Sequence, residues 1–241
     1  MNNAVYTQLT RQTGLQREMD LIAGNMANMN TTGFRREGVV FSEFLRDTDD
    51  RLGSLSMAAV RTRYAEPAQG ALTQTLSQLD LAVEGEGFFQ VQTPDGPRLT
   101  RAGAFAISAD NQLVTPEGFP VLDNGGAAIQ LPAGFERMSV AVDGLISVDG
   151  EAFGQMALVT PIDPLAVRRE GGSLYIADGG VQPSEGAKIS QGFLEGSNVN
   201  AVEEITRMIE VQRAYELGQS MLERMDDRMR TVIRTMGEPV R

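Results

Sequence analysis

Glu84 and Glu86 are the residues whose type and spacing come closest to a catalytic pair in this sequence. Two carboxylates flanking a glycosidic bond can share its hydrolysis, one protonating the leaving oxygen while the other activates water or attacks the sugar. That chemistry needs a set separation of the carboxyl groups, which proximity in sequence does not establish, and a solvated turn is the commoner setting for glutamates beside Gly85 and Gly87. Composition closes other routes. With no histidine and no cysteine, the chain has no Ser-His-Asp or Cys-His nucleophile system, no histidine-based metallohydrolase motif, none of the usual zinc sites and no disulfide framework. Lys188 is the only lysine, and nothing around it suggests the apolar pocket that a Schiff-base amine requires.

Two further motifs fail on inspection. Asp47, Asp49 and Asp50 resemble the start of a calcium loop, but Arg51 stands where a third ligand belongs and the required glycine is missing, so a solvated acidic turn is expected. Gly85-Glu86-Gly87 lies between two strand patterns without a following helix or a third glycine, which makes it a tight connection rather than a nucleotide loop. No catalytic, cofactor-binding or metal-ligating residue is assigned, and no small-molecule substrate is expected.

The elements that would position any site begin with the two ends of the chain. Over 3–29 the positions Val5, Gln8, Gln12, Leu15, Met19, Ile22, Met26 and Met29 alternate by three and four. Over 200–236 the same alternation runs through Met208, Val211, Tyr215, Leu222, Met225, Met229, Val232 and Met236, broken only at Gly218. A seven-residue repeat sustained in this way is a coiled-coil seam, so the two terminal helices are expected to pair. The seam residues from Leu15 to Met29 and from Met208 to Met236 are the expected assembly interface. Their many methionines are adaptable apolar fillers suited to unequal contacts. Before assembly two marginal helices with outward stripes are expected to be largely unfolded.

Local signals bound these helices. Asn200 with Glu203 predicts an N-cap and capping box, Glu203 and Glu204 suit the positive end of the helix dipole, and Gly237 with Pro239 ends the helix. Asn28, Asn30, Thr31 and Thr32 followed by Gly33-Phe34 predict a helix stop and a turned exit. Gly24 costs about 1 kcal/mol relative to alanine inside a helix and predicts fraying.

Between the helices, 37–66 lacks sustained periodicity and reads as an extended connector. From 67 to 195 glycine and proline are dense and short apolar alternations recur, with strands expected over 79–83, 88–92, 98–101, 139–142, 145–148, 155–160 and 174–177. Pro94-Asp95-Gly96-Pro97, Asp143-Gly144, Asp149-Gly150 and Asp178-Gly179 are the expected turns. The fold class is therefore α+β: long N- and C-terminal helices pairing as a coiled coil around a central all-β domain, a sandwich or partly open barrel. The segments are 1–36, 37–66, 67–195 and 196–241. A net charge of -11 opposes binding to nucleic acid or anionic lipid. There is no membrane span and no apolar run with a basic flank and a small-residue cleavage site, so if the chain leaves the cytoplasm a route without a cleaved signal must carry it.

Several stretches are similar to a known family. Asn25-Met26-Ala27-Asn28, Asn30-Thr31 and Gly33-Phe34-Arg35 resemble the N-terminal signature of the bacterial flagellar axial proteins of the rod and hook. The stretches 79–91 and 99–105 resemble that family's central domain, and Ser197-Asn198-Val199-Asn200 with Gln212-Arg213-Ala214-Tyr215 resembles its C-terminal signature. Gly24 departs from the family pattern, which commonly has a second asparagine there. Within the family, the short length, the compact β domain and the opening Asn3-Ala4 with Leu9-Thr10-Arg11-Gln12 are most similar to members of the proximal rod, with those of the distal rod next. The resemblance implies a structural subunit of the basal-body rod that transmits torque across the periplasm. It also implies partnership with itself and with other rod proteins, and passage through the flagellar type III export apparatus. An alternative of a different class is a periplasmic module that binds a glycan or peptide and dimerises through its helices. A closed dimer stops growing, whereas a rod subunit joins helical polymers.

Overall fold

A computed structural model describes residues 2–46 and 55–237, so the calcium-like group Asp47, Asp49 and Asp50 lies outside the described residues. The chain forms two compact units. One comprises 1–26, 39–63 and 200–241, and the other 27–38 and 64–199.

The first unit contains both long helices, α1 (Asn2–Ala27) and α2 (Ala201–Gly237). α1 runs unbroken through Gly24. α2 starts as its cap demands. The Asn200 Oδ1 accepts the Val202 N–H at 3.1 Å, and the Asn200 carbonyl accepts the first helical bond from Glu204 at 3.0 Å. Glu203 completes the cap differently from a capping box, because its Oε1 accepts the Asn200 side-chain amide at 3.1 Å. Asn200→Ala removes both bonds, and a loss of about 1 kcal/mol in urea unfolding followed by circular dichroism is the expected result.

Where the sequence shows no sustained periodicity, β1 (Glu37–Arg46) and β2 (Leu55–Ala65) pair with each other. The second unit is built from β3 (Leu72–Gln74), β4 (Leu81–Glu84), β5 (Phe88–Thr93), β6 (Gly96–Thr100), β7 (Ala106–Ile107), β8 (Leu113–Val114), β9 (Met138–Val140) and β10 (Leu145–Val148). It continues with β11 (Glu151–Gln155), β12 (Leu158–Pro161), β13 (Val167–Gly171), β14 (Leu174–Ala177), β15 (Val181–Pro183), β16 (Lys188–Gln191) and β17 (Phe193–Glu195). The expected strand over 155–160 is divided between the end of β11 and β12, because Met156 leaves the ladder to bridge Asp123.

Six strands form an antiparallel sheet in the order β13-β14-β6-β5-β12-β15, and β11-β10-β9 form a second. The pairs β16-β4, β17-β3 and β7-β8 complete the described ladders, none of which closes into a barrel. The larger sheet is apolar on both faces. Phe89, Val91 and Leu158 enter the main core with Leu81, Ile146 and Met156, while the alternate residues Phe88 and Val159 join Leu99, Val167 and Tyr175 in a smaller cluster. That is the period-two alternation of a strand covered on both sides. Between β10 and β11, Asp149 at φ 50° and Gly150 at φ 92° make the two-residue turn whose twist suits a hairpin.

Candidate functional site

The side-chain contacts between α1 and α2 show how the two helices run. Gln12 donates to the Tyr215 carbonyl at 3.1 Å, Arg207 donates to Glu18 at 2.8 Å, and Asn25 donates to Glu204 at 3.4 Å. As α1 advances, its partners step back along α2, so the helices are antiparallel. Gly218 makes room for this arrangement: a Cβ there would lie 2.7 Å from the Gln12 amide nitrogen and 2.8 Å from that of Gln8. The glycine therefore accommodates side chains of the chain's own α1. The seam's polar end is occupied by glutamines, and the buried Gln12 Oε1 has no hydrogen-bond partner among the described residues.

The residues expected to form an assembly interface fall into three groups. Ile22 and Val211 are buried. Leu15, Met19, Met26, Met208, Tyr215, Leu222 and Met225 are half-buried, and Met29 and Met229 are exposed. The side chains of Val232 and Met236, and of Val5 in the same seam, lie outside the described set.

The signature residues of the second unit do something the sequence did not announce. Thr31 closes a turn on Asn28, its N–H donating to the Asn28 carbonyl at 3.1 Å and its hydroxyl to the Asn28 side chain at 3.2 Å. Gly33, at φ 68°, then donates its N–H to the Glu195 carbonyl at 2.8 Å. Phe34 is buried with the Arg169 guanidinium 5.2 Å above its ring. From the other signature, the Asn198 N–H donates to the Phe34 carbonyl at 3.4 Å, its Oδ1 accepts the Arg36 N–H at 2.6 Å, and its side-chain amide donates to the Ala68 carbonyl at 2.8 Å. Ser197 Oγ accepts the Val199 N–H at 3.3 Å. Asn30 and Ala27 are exposed. The outgoing and returning segments are thus stapled side by side.

Beneath that staple lies a buried charge cluster. Glu195 is 1% exposed and Arg101 0%. The Glu195 carboxylate accepts Arg101 Nη1 at 3.1 Å through one oxygen, and through the other it accepts the Gly70 N–H at 3.1 Å and faces Arg35 Nη2 at 3.8 Å. Arg101 also donates to the Val83 and Gly85 carbonyls at 3.1 and 2.6 Å, and Arg35 to the Pro67 carbonyl at 2.7 Å. Both guanidiniums lie against the Phe88 ring, Arg35 at 5.3 Å and Arg101 at 5.0 Å. The rigid fork of arginine permits this many fixed bonds where a lysine ammonium would not. Burial, and next the like charge of Arg35, push Arg101 down to about 10, against the opposing pull of Glu195. Burial likewise lowers Arg35.

Tyr175, whose Oη accepts the Arg35 N–H at 2.9 Å, is pushed up to about 12 by burial, the dominant cause. Its folded value thus exceeds the ordinary value of 10.0. The stabilisation from keeping this phenol neutral is complete below about pH 10 and is lost as pH rises through about 12. A phenolate absorbance titration should show one late tyrosine that disappears in Tyr175→Phe.

The remaining chemical candidates are exposed, although the Glu86 carboxylate lies close enough to this cluster to raise the Arg35 value against the lowering by burial. Glu84 is exposed and accepts a bond from the Ser190 hydroxyl, Glu86 is exposed, and Lys188 lies on the exposed side of β16. Among the described residues no three His, Cys, Asp or Glu side chains are grouped to hold a metal ion. No described helix is long and apolar enough to cross a membrane.

Three family models match the chain in succession. One described as flagella basal body rod protein matches residues 5–35, one described as flagellar hook protein FlgE/F/G D1 domain matches 82–148, and one described as flagellar basal body rod FlgEFG protein C-terminal matches 190–235. The chain is 39% identical to the flagellar basal-body rod protein FlgF of Caulobacter vibrioides, with 99% of each chain covered. The chain belongs to the flagellar basal-body rod protein family. It is also 33% identical to FlgF of Rhizobium meliloti over 98% of this chain and 99% of that one, and 30% identical to FlgG of Bacillus subtilis over 97% and 98%. For this rod-family chain the buried cluster acquires a clear architecture: Arg35, Arg101 and Glu195 come one each from the three matched segments.

Proposed function

We propose that the chain is a structural subunit of the proximal part of the flagellar basal-body rod, joining copies of itself and other rod proteins to transmit torque across the periplasm. The observation that carries this reading is end-to-end similarity to rod proteins, 99% of both chains in the case of the Caulobacter FlgF. The antiparallel helix pair supports it mechanically, since two long helices joined by polar bonds along their length form a stiff strut. In this reading the heptad seams close as a coiled coil within the subunit. Half-buried and exposed seam residues such as Leu222, Met225, Met229 and Met29 then meet neighbouring subunits. The subunit reaches the rod through the flagellar type III export apparatus without a cleaved signal, and no step requires a cofactor or catalysis.

Similarity to FlgG-named relatives favours a distal-rod position as the second reading. A deletion strain separates the two. Loss of every rod component beyond the base is expected for a proximal subunit, and a truncated rod that retains other rod proteins would indicate the distal position. A deletion strain that builds intact rods and swims would overturn both.

A further inference from the structure

α2 has two unlike long sides. Glu204, Val211 and Gly218, spaced by seven, are buried, and α1 reaches that side through the bonds to Glu204 and the glutamines above Gly218. At 3.6 residues per turn, Val202, Ile205 and Ile209 fall on the opposite side. They are exposed by 73%, 46% and 45%. Three β-branched side chains on two successive turns form a stiff apolar ridge turned away from the helix pair.

A surface that would receive such a ridge lies on α1. Glycine destabilises a helix interior, yet a Cβ at Gly24 would meet nothing within 4 Å. Among the described residues, none packs into the space that a side chain at Gly24 would take. Ala23 beside it is exposed. Because Asn25 bonds Glu204, this small-residue surface and the ridge lie at the same end of the helix pair, on different helices.

We propose that the Val202, Ile205 and Ile209 ridge of one copy packs onto the Ala23 and Gly24 surface of α1 in the next copy. The inference rests on the rod-subunit reading. Branched side chains on one helix seat closely where the facing helix has little beyond its backbone. Charge agrees with an antiparallel seating: Asp20 is exposed one turn before Gly24, and Arg213 is exposed one turn after Ile209. The two surfaces are unlike, so the contact is head-to-tail and propagates instead of closing as a dimer. The exposed ridge then adds a second bond between copies beside the seam residues that face neighbouring subunits.

The absence of cysteine allows a direct test. Cells producing full-length Ala23→Cys and Ile205→Cys copies together should yield basal bodies in which the two variants become joined by a disulfide on oxidation. Ala23→Cys with Glu223→Cys, five turns further along α2, should not cross-link. Equal cross-linking of the two pairs, or none at Ile205→Cys in rods that do assemble, overturns the proposal. Gly24→Leu should leave the isolated subunit at least as stable as the parent and Ile205→Asp should leave its melting unchanged, while each reduces recovery in basal bodies at least about tenfold. Wild-type recovery of both variants would place the contact elsewhere and leave the rod reading standing. Swimming by the deletion strain would remove the rod reading itself.

Discussion

Glu195→Gln is expected to destabilise the β unit by about 3–5 kcal/mol, the cost of breaking a buried ion pair from one side. The substitution keeps the shape and discards the charge that Arg101 meets at 3.1 Å and Arg35 at 3.8 Å. Two guanidiniums then remain buried beside each other with no carboxylate between them. Their Nε–H groups already have no hydrogen-bond partner among the described residues, so the cluster has little reserve with which to compensate. The amide also has only one oxygen for the acceptor roles that two carboxylate oxygens fill toward Gly70 and Arg101. Urea unfolding followed by circular dichroism measures the loss. Glu84→Gln, at an exposed position, should change stability by no more than about 0.5 kcal/mol. If Glu195→Gln matched that control, the cluster would be electrostatically idle and the account of the junction wrong.

Gly33→Ala is the second large effect, at about 2–5 kcal/mol. A left-handed backbone costs an L-residue roughly 1–2 kcal/mol, and forcing atoms into a packed site adds about 1–3 kcal/mol. At φ 68°, a Cβ on Gly33 would lie 2.2 Å from the Ala102 nitrogen and 2.3 Å from the Arg101 carbonyl carbon, both backbone atoms that cannot rotate away. Relief requires the turn to move, which pulls the Gly33 N–H from the Glu195 carbonyl and loosens the staple above the charge cluster. Gly24→Ala is the informative contrast. It sits in a helix with open space around its Cβ, so the isolated subunit should gain up to about 1 kcal/mol. Opposite signs at two glycines nine positions apart would separate a structural glycine from one whose smallness serves a neighbour. Equal effects would refute that distinction.

Local chemistry was readable wherever neighbours in sequence are neighbours in space. Asn200 caps its helix, Asp149-Gly150 turns between two strands, and the alternation of Phe88 through Val91 sends successive side chains into two different clusters. Where periodicity was weak, as over 37–46 and 55–65, strands pair all the same, because a ladder partner can supply what the local pattern lacks. The cap on α2 also differed in detail, with Glu203 meeting the Asn200 side chain, since either geometry satisfies the same groups.

By itself the sequence determined the two long helices, the β-rich middle, the exclusion of histidine and cysteine chemistry, and the signatures that mark a rod protein. These follow from residue type and short-range spacing. The tertiary structure alone decided which groups separated by many residues share one environment. Arg101 and Glu195 lie 94 positions apart, and no local pattern announces that an arginine just past the end of a strand will be buried against a carboxylate from a returning segment. It also decided which side of α2 faces α1. A helix with apolar residues on two sides carries both options in its sequence, and only the partner's position assigns Val211 to the inside and Ile205 to the outside.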